Sequence, residues 1–349
     1  MTTQTTQAAS AQADREVVEA ARVLLQRMGV DPADLMQDPA DRPRVPTFDE
    51  YIPEVEAAVT PGTAGTYGSY WKRIAAKWGR RSLLDPTPTE IDQFKEEIKA
   101  GAVQRRNSRG GRGTAENFIA ALRCLYKHAE KDGLIKPDEN PAAKTTKPRR
   151  QGSTRHALSN AQMSEINFYA GTTGDDPELD TLLIRLHTES ACRTGGALAL
   201  RPRDLNRDQC LVYLREKEGT ARWQPVSRTL MTALVEHAEQ RGAAADVNRQ
   251  LLRYRNGNPI TDRRYNHLWD RLGRYLPWVT TLNVSAHWIR HTTLTWVERN
   301  FGFAIAHAYA GHFDEGDNKN ATLTYVKAAV HDVATALAAL TGEPHPLAA

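Results

Sequence analysis

Cysteine is scarce in this sequence. Its 349 residues include three cysteines, Cys124, Cys192 and Cys210, and no two of them form a C-x-x-C pair. This spacing argues against a disulfide framework and against a structural zinc module. Long hydrophobic runs are also missing, because no apolar stretch reaches the roughly 20 residues that span a bilayer. The polar N-terminus lacks the apolar stretch of a signal peptide, so we expect a cytoplasmic protein with no membrane partner.

The net charge is only +4, yet the basic side chains are concentrated in one segment. Residues 1–60 carry 5 basic and 11 acidic side chains, whereas residues 61–155 carry 20 basic and 10 acidic ones. Residues 156–349 carry 21 of each sign. A basic segment in a nearly neutral chain indicates a polyanionic partner, most simply nucleic acid. A solvated basic surface would give the same count.

Changes in composition divide the chain into three parts. Residues 1–46 combine a polar tail, one short helical pattern and a Pro-rich stretch, which predicts a flexible arm with a short helix. Residues 47–147 show apolar side chains at helical spacing and predict an all-helical domain. Residues 144–156 are rich in Pro, Gly and basic side chains, which is typical of a linker. The second domain then covers residues 157–349.

A basic stretch, VQRRNSRGGRGTA, separates two predicted helices of the first domain. It contains four arginines and three glycines, which suits a loop that contacts phosphates, although a solvated loop is the alternative. Thr114 is the predicted N-cap of the helix that follows. The candidate DNA-binding residues are Arg105, Arg106, Arg109, Arg112 and Lys72.

The second domain reads as mostly helical with one small sheet. The segment CLVYLREKEGTARWQPVS alternates and turns at Glu218 and Gly219, which predicts a hairpin. Near the end, VHDVATALAAL places Val330, Val333, Leu337 and Leu340 on one helix face, which could close its own domain. The family resemblance described below implies the alternative, in which this helix packs on a neighbouring subunit. The fold class predicted for the chain is therefore mainly α with a small antiparallel sheet.

The segment AHWIRH leaves three interpretations open. His287, Arg290 and His291 share one face if the segment is helical. Two histidines four residues apart match the zinc pattern H-E-x-x-H, but Trp288 stands where that pattern needs glutamate. The alternatives are an anion clamp formed by His287 and Arg290, with His291 in a supporting position, or a plain helix surface.

Six side chains of the second domain follow one another in an informative order. They are Arg193, Lys217, His287, Arg290, His312 and Tyr325. In the segments ACRTGGALALRPRDL, REKEG, HWIRH, GH and TYVKA, this order resembles the tyrosine recombinases, the integrase family of phages and mobile elements.

The resemblance implies a helical, SAM-like core-binding domain and a mixed α/β catalytic domain that clamp DNA. The implied activity is site-specific cutting and rejoining of duplex DNA through a 3′-phosphotyrosyl intermediate, for integration or excision of a phage or mobile element. No cofactor is expected, since the covalent bond conserves the phosphodiester energy. The implied partners are a DNA recombination site, a homotetramer on synapsed DNA, and accessory DNA-bending or directionality proteins. We expect association with the nucleoid.

The resemblance also assigns a role to each of the six side chains. Arg193 and Arg290 would stabilise the negative charge on the phosphate in the transition state, and His312 would hydrogen-bond the scissile phosphate. The nucleophile would be Tyr325. His287 would assist its deprotonation, and Lys217 would protonate the leaving 5′-oxygen. The competitors are Arg215 and Arg222 for Lys217, and Tyr309 for Tyr325.

One departure from the family pattern concerns the first arginine. An acidic residue usually follows it by three positions and supports it, whereas this chain has Gly196 there. Glu189, one helical turn before Arg193, is a candidate substitute. The alternative functions are a DNA-binding regulator with a decayed active site, a type IB topoisomerase, and a zinc hydrolase built on His287 and His291.

Overall fold

The computed structural model describes residues 17–28, 44–102, 111–148, 155–216, 220–312 and 330–348. The chain divides into two compact units, Met1–Gln151 and Gly152–Ala349, and each contains its own hydrophobic core. Within these described ranges, no helix is both long enough and apolar enough to cross a membrane.

The described part of the first unit is helical. Its helices are α1 (residues 17–28), α2 (Phe48–Ala58), α3 (Pro61–Trp78), α4 (Pro88–Ala100) and α5 (Arg112–Lys131). Helices α2 and α4 begin at capping boxes, in which Thr47 pairs with Glu50 and Thr87 pairs with Glu90. Each threonine hydroxyl accepts from a glutamate N–H, and each glutamate carboxylate accepts from the threonine N–H. These reciprocal bonds satisfy free N–H groups and fix where both helices begin.

Large aromatic side chains fill the core of this unit. Trp71 and Tyr126 are buried, and each donates its polar hydrogen to a main-chain carbonyl, at 3.0 and 2.7 Å. Their burial therefore leaves no unpaired donor on either ring. Phe118, Leu122 and Leu125 are fully buried on one face of α5. Their spacing along the chain matches the helical period that places them on this face.

The start of α5 differs from the sequence prediction. Thr114 lies inside the helix, and the N-cap is Gly111, with a φ of +74°. The carbonyl oxygen of Lys99, at the end of α4, lies 2.5 Å from where a Cβ on residue 111 would be. Glycine alone tolerates both this backbone conformation and this close approach. A tertiary contact therefore sets the helix start, and the predicted cap at Thr114 is wrong.

The second unit combines helices with a three-stranded antiparallel sheet of order β1-β2-β3. Its helices are α6 (Asn160–Thr172), α7 (Pro177–Ser190), α8 (Thr194–Leu198), α9 (Arg228–Gln240), α10 (Asp262–Tyr275), α11 (Pro277–Leu282), α12 (Ala286–Phe301), α13 (Phe303–Ala310) and α14 (Val330–Thr341). A 3₁₀ turn spans Pro202–Asp204, and the strands are β1 (Leu205–Asn206), β2 (Leu211–Arg215) and β3 (Ala221–Pro225). The predicted fold class, mainly α with a small antiparallel sheet, is confirmed.

Strands β2 and β3 form the predicted hairpin, although Glu218 and Gly219 at its turn lie outside the described residues. Leu214 pairs with Arg222, and Tyr213 pairs with Trp223. Side chains alternate between the two faces of a strand, so the first pair points inward and the second outward. Arg222 is consequently buried, whereas Trp223 is exposed.

Helix α7 lies between two clusters of buried side chains. Leu183 and Leu186 belong to the cluster that includes the sheet. Ile184 belongs to the other cluster, together with Trp288 and Ile289 of α12. The helix is therefore packed on two sides, and the site described below begins at its C-terminal end.

Helix α14 covers its own unit. Val333 and Leu337 pack against Val297 of α12 and Tyr309 of α13. Beyond this helix, a ring nitrogen of His345 lies 3.2 Å from the carbonyl oxygen of Cys210. Of the two arrangements that the sequence left open for the final helix, this structure has the one within a single chain.

Candidate active site

Arg193 projects from the turn between α7 and α8. Helix α7 ends at Ser190 and is capped by Ala191, which has a left-handed φ of +48°. The N–H of Ala191 donates to the carbonyl of His187 at 3.1 Å. Cys192 is buried next to it, and Arg193 is the N-cap of α8. The side chain of Arg193 remains 35% exposed, so its guanidinium is accessible to a ligand.

The guanidinium of Arg193 contacts a carboxylate and an imidazole. Its Nη1 lies 2.5 Å from Oε2 of Glu216, and its own backbone N–H donates to Oε1 at 2.7 Å. Its Nη2 lies 3.4 Å from Nε2 of His312. Two of the six predicted side chains, Arg193 and His312, are therefore adjacent although 119 positions separate them.

Arg290 reaches the same place from helix α12. Its guanidinium donates to the main-chain carbonyls of Ala191 and Ala310, and its Nη1 lies 3.8 Å from Oε1 of Glu216. Burial lowers the pKa of Arg290 to about 10, and the nearby guanidinium of Arg193 lowers it as well, whereas Glu216 raises it. The residue is thus a charged group at neutral pH, fixed by acceptors on two sides.

His287 lies one helical turn before Arg290 on α12, at the surface. Its partial burial lowers its pKa, and the positive charges of Arg155, Arg290 and Arg193 lower it further. The ring is consequently neutral at pH 7 and can accept a proton. A cavity of about 360 Å³ is lined by Cys192, Arg193, Thr194, Gly195, Gly196, Ala286 and His287.

His312 follows Gly311 at the end of α13. Gly311 has a φ of +68°, and a Cβ at this position would overlap the guanidinium of Arg222. Partial burial lowers the pKa of His312, and the nearby Arg290 lowers it further. A neutral imidazole can donate one hydrogen bond and accept another, which suits a group that binds a phosphate oxygen.

Other predicted residues lie elsewhere. Lys72 is exposed on α3, and Arg112 is exposed at the first turn of α5, both in the first unit. The residues that lie outside the described ranges are Lys217, Tyr325, Arg105, Arg106 and Arg109.

The competitors that the sequence left open have other partners. Arg215 binds both carboxylate oxygens of Asp204, at 2.6 and 2.5 Å. Tyr309 is fully buried, and its hydroxyl donates to the carbonyl of Glu189. Burial raises the pKa of this phenol well above its ordinary value, so Tyr309 is unsuited to nucleophilic attack.

Sequence reasoning missed Glu216 as a member of this site. Its carboxylate is also bound by Arg222, at 2.9 Å, which makes Arg222 a buried partner of the site rather than a substitute for Lys217. Glu189, the carboxylate suggested as support for Arg193, instead binds Arg185 at 2.7 Å and the N–H of Ser227 at 2.8 Å. One sequence signal could have pointed to Glu216. The strand alternation places the side chain of Arg222 on the inward face of β3, and a buried positive charge requires an acidic partner.

The zinc interpretation finds no support in the described ranges, where no group of three His, Cys, Asp or Glu side chains could hold a metal ion. His291 instead lies with Nδ1 3.2 Å from the hydroxyl of Thr295. Partial burial lowers its pKa, as does the charge of Arg155.

Comparison with known proteins identifies the family and the fold. The model of the phage integrase family matches residues 156–330. A lambda integrase tetramer bound to a Holliday junction has the same fold, with 16% identity, a TM-score of 0.57, and 88% of this chain and 90% of that chain covered. The Tn1549 transposon integrase in complex with transposon right end DNA has 16% identity and a TM-score of 0.59, with 84% and 99% covered.

A lambda integrase dimer bound to a COC′ core site matches with 15% identity and a TM-score of 0.58, and 90% of this chain and 87% of that chain are covered. No curated protein sequence matches this chain. The structural matches show the fold, and the family model covers half of the chain. This protein therefore belongs to the phage integrase family of enzymes that cut and rejoin DNA.

Proposed function

We propose that this chain catalyses site-specific recombination of duplex DNA, with Tyr325 as the nucleophile. Attack of the tyrosine oxygen on a phosphodiester forms a 3′-phosphotyrosyl bond and releases a 5′-hydroxyl; attack by another 5′-hydroxyl reverses the step. The observation that carries the proposal is the meeting of Arg193, Arg290 and His312, from three separate segments, around one buried carboxylate.

The proposed phosphate site is suited to a transition state with increased negative charge. Arg193 is accessible and presents its Nη2 beside Nε2 of His312, so one phosphate oxygen can bind both. Arg290 contributes a fixed positive charge from the buried side of the site. Guanidiniums that are already oriented need no rearrangement when the charge develops, which lowers the barrier.

The proposed proton transfers involve His287, Lys217 and Tyr325. An ordinary tyrosine has a pKa of about 10, so its hydroxyl must lose a proton during attack. The lowered pKa of His287 keeps its ring ready to accept that proton. Lys217, next to Glu216 in the sequence, is proposed to protonate the leaving 5′-oxygen. Each such transfer contributes roughly 10²- to 10⁴-fold to the rate.

The proposed DNA partner is a recombination site bound by four copies of the chain, as in the lambda integrase tetramer on a Holliday junction. Residues 47–147 would form the core-binding domain and residues 157–349 the catalytic domain, after an N-terminal arm of residues 1–46. Lys72 and Arg112, with Arg105, Arg106 and Arg109, would bind DNA phosphates. Accessory DNA-bending or directionality proteins and association with the nucleoid belong to the same proposal.

The test uses a library of nicked duplexes with randomised sequence. When the cleaved phosphate lies just 5′ of a nick in the same strand, cleavage releases a short oligonucleotide with the 5′-hydroxyl. Religation is then prevented, so the covalent adduct accumulates and the bound DNA can be sequenced. The wild-type protein and the Tyr309→Phe variant should form adducts, whereas Tyr325→Phe should bind the selected duplex without forming one. An adduct with Tyr325→Phe would contradict the assignment of the nucleophile.

Two other outcomes would replace the proposal. Selective binding by the wild type without any adduct would identify a DNA-binding regulator. Relaxation of a supercoiled plasmid that lacks the selected sequence would identify a topoisomerase that uses the same chemistry.

A further inference from the structure

Glu216 lies at the centre of three guanidiniums. Its Oε2 is 2.5 Å from Nη1 of Arg193 and 2.9 Å from Nη1 of Arg222, and its Oε1 is 3.8 Å from Nη1 of Arg290. The Glu216 side chain is 1% exposed. A buried carboxylate is rarely found without charged partners, and here all of its charged partners belong to the phosphate site or support it.

Electrostatics explains why one carboxylate belongs here. Burial alone would raise the pKa of Glu216, but Arg222, the N–H of Arg193, and Arg290 together lower it, so the side chain is ionised. Three guanidiniums without this charge would repel one another in a poorly hydrated site. With it, the cluster retains two net positive charges, which suits a phosphate that gains negative charge.

Gly196 leaves the space that Glu216 occupies. A Cβ on residue 196 would lie 3.2 Å from Cγ of Glu216 and 3.4 Å from its Oε1. A carboxylate side chain extending from residue 196 would therefore compete with Glu216 for the same position beside Arg193. A carboxylate beside Arg193 can therefore come from residue 196 or from residue 216, and in this chain it comes from residue 216, at the hairpin.

We propose that Glu216 is the positioning residue that holds the guanidinium of Arg193 against the scissile phosphate, in place of an acidic side chain at residue 196. The proposal rests on the proposed function of this site. It adds a link between elements, because Glu216 follows β2 directly and precedes Lys217. Its backbone is held by the bond from its N–H to the carbonyl of Thr220, at 2.8 Å. A shift of the hairpin would therefore also move Arg193.

The first experiment compares Glu216→Gln with Glu189→Gln. Both changes remove one buried carboxylate from the same unit, but Glu189 binds Arg185 and Ser227 and does not contact Arg193. On a nicked duplex selected with the wild type, Glu216→Gln should form the adduct about 10- to 100-fold more slowly, since small displacements of a positioning group have effects of this size. Its affinity for the duplex should change by less than about threefold, because the arginines remain charged. Glu189→Gln should match the wild type in both respects.

The second experiment relocates the carboxylate. Gly196→Asp combined with Glu216→Ala should react at least about tenfold faster than Glu216→Ala alone, because the new side chain enters the vacated space. Gly196→Asp in the wild-type background should slow the reaction, since two carboxylates would then compete. Equal rates for Glu216→Gln and wild type, or no gain on relocation, would overturn the proposal.

Crystal structures of Glu216→Gln and of the double variant Gly196→Asp with Glu216→Ala test this proposal separately from the proposed function. In Glu216→Gln, the Arg193 guanidinium should leave its position beside His312, and the relocated carboxylate should return it. If no duplex ever yields an adduct with the wild type, the proposed function fails. Independently of any adduct, an Arg193 side chain that keeps its position in the Glu216→Gln structure would reject the positioning role of Glu216.

Discussion

Two buried nitrogen bases of the second unit, Arg290 and His237, differ in charge at neutral pH although burial lowers the pKa of both. Arg290 faces two carbonyl oxygens and a carboxylate, all of them acceptors, so its guanidinium keeps its proton. His237 instead accepts a hydrogen bond through Nε2 from the N–H of Arg253, at 3.1 Å. Burial, together with the nearby charge of Arg241, lowers the pKa of His237 to about 4. Burial is the largest cause of both lowered pKa values, and Arg290 stays charged because the ordinary pKa of a guanidinium is far higher than that of an imidazole.

This arrangement at His237 predicts how stability depends on pH. The folded-state pKa is below the unfolded value of about 6.5, so the unfolded chain binds more protons and acid favours unfolding. The stability that comes from burying His237 in its neutral form is fully present above about pH 6.5. It is lost as the pH falls towards the folded-state pKa of about 4. Between about pH 7 and about pH 5, the free energy of unfolding should fall by about 2 kcal/mol from this residue.

Denaturant unfolding of the wild type and of His237→Gln at the two pH values measures this contribution. The amide of glutamine can accept the Arg253 N–H but does not titrate, so the variant should lose about 2 kcal/mol less stability than the wild type. Parallel losses for both proteins would show that His237 does not contribute.

At the scale of elements, the end of α13 depends on one glycine. Gly311 adopts a φ of +68°, which disfavours other residues, and the guanidinium of Arg222 lies where a Cβ would be. Gly242 has a similar φ of +72°, but no heavy atom lies within 4 Å of its Cβ position. Comparing alanine substitutions at Gly311 and Gly242 therefore separates the cost of the left-handed backbone conformation from the cost of the clash with Arg222.

We expect Gly242→Ala to lower the free energy of unfolding by about 1–2 kcal/mol, the cost of the left-handed conformation alone. Gly311→Ala should cost more, and it should also slow adduct formation, because a displaced Arg222 disturbs Glu216 and the adjacent His312. Thermal unfolding and adduct formation measure the two effects. Equal losses for the two variants would show that contact with Arg222 does not matter.

The elements themselves differ in how far their sequence predicts them. The hairpin and the stripe of Phe118, Leu122 and Leu125 follow from patterns that local geometry produces, and the structure contains both. The start of α5 does not follow, because Gly111 is required by the carbonyl of Lys99 on a different helix. A cap set by a neighbouring element leaves no signal within its own segment.

At the scale of the whole molecule, the uneven charge distribution predicts how DNA binding depends on salt. The logarithm of the DNA-binding constant falls linearly with the logarithm of the salt concentration. Replacing Arg105, Arg106 and Arg109 by alanine should make this slope less steep by about 2 to 3, since each lost phosphate contact removes about 0.9. Binding should also weaken similarly for all duplexes, because phosphate contacts carry no base information.

The matched control replaces basic side chains of the same unit that already have acidic partners. Lys95 lies 2.7 Å from Asp92, and Lys99 lies 2.8 Å from Glu96, all on α4. Changing both lysines to glutamine should alter the slope by less than about 1. A similar slope change in both sets would mean that total charge, rather than these three arginines, governs binding.

The sequence alone determined the fold class, the family and the order of the six candidate side chains, because periodicity and motif spacing are properties of the chain. It also favoured His287 with Arg290 over a zinc pair, since Trp288 occupies the position of the glutamate base. Only the tertiary structure decided which carboxylate supports Arg193. Glu189 is nearer in sequence, but after the turn that follows α7 Arg193 binds Glu216, 23 positions away along the chain. A buried charge is paired by proximity in space, and that proximity exists only after the chain has folded.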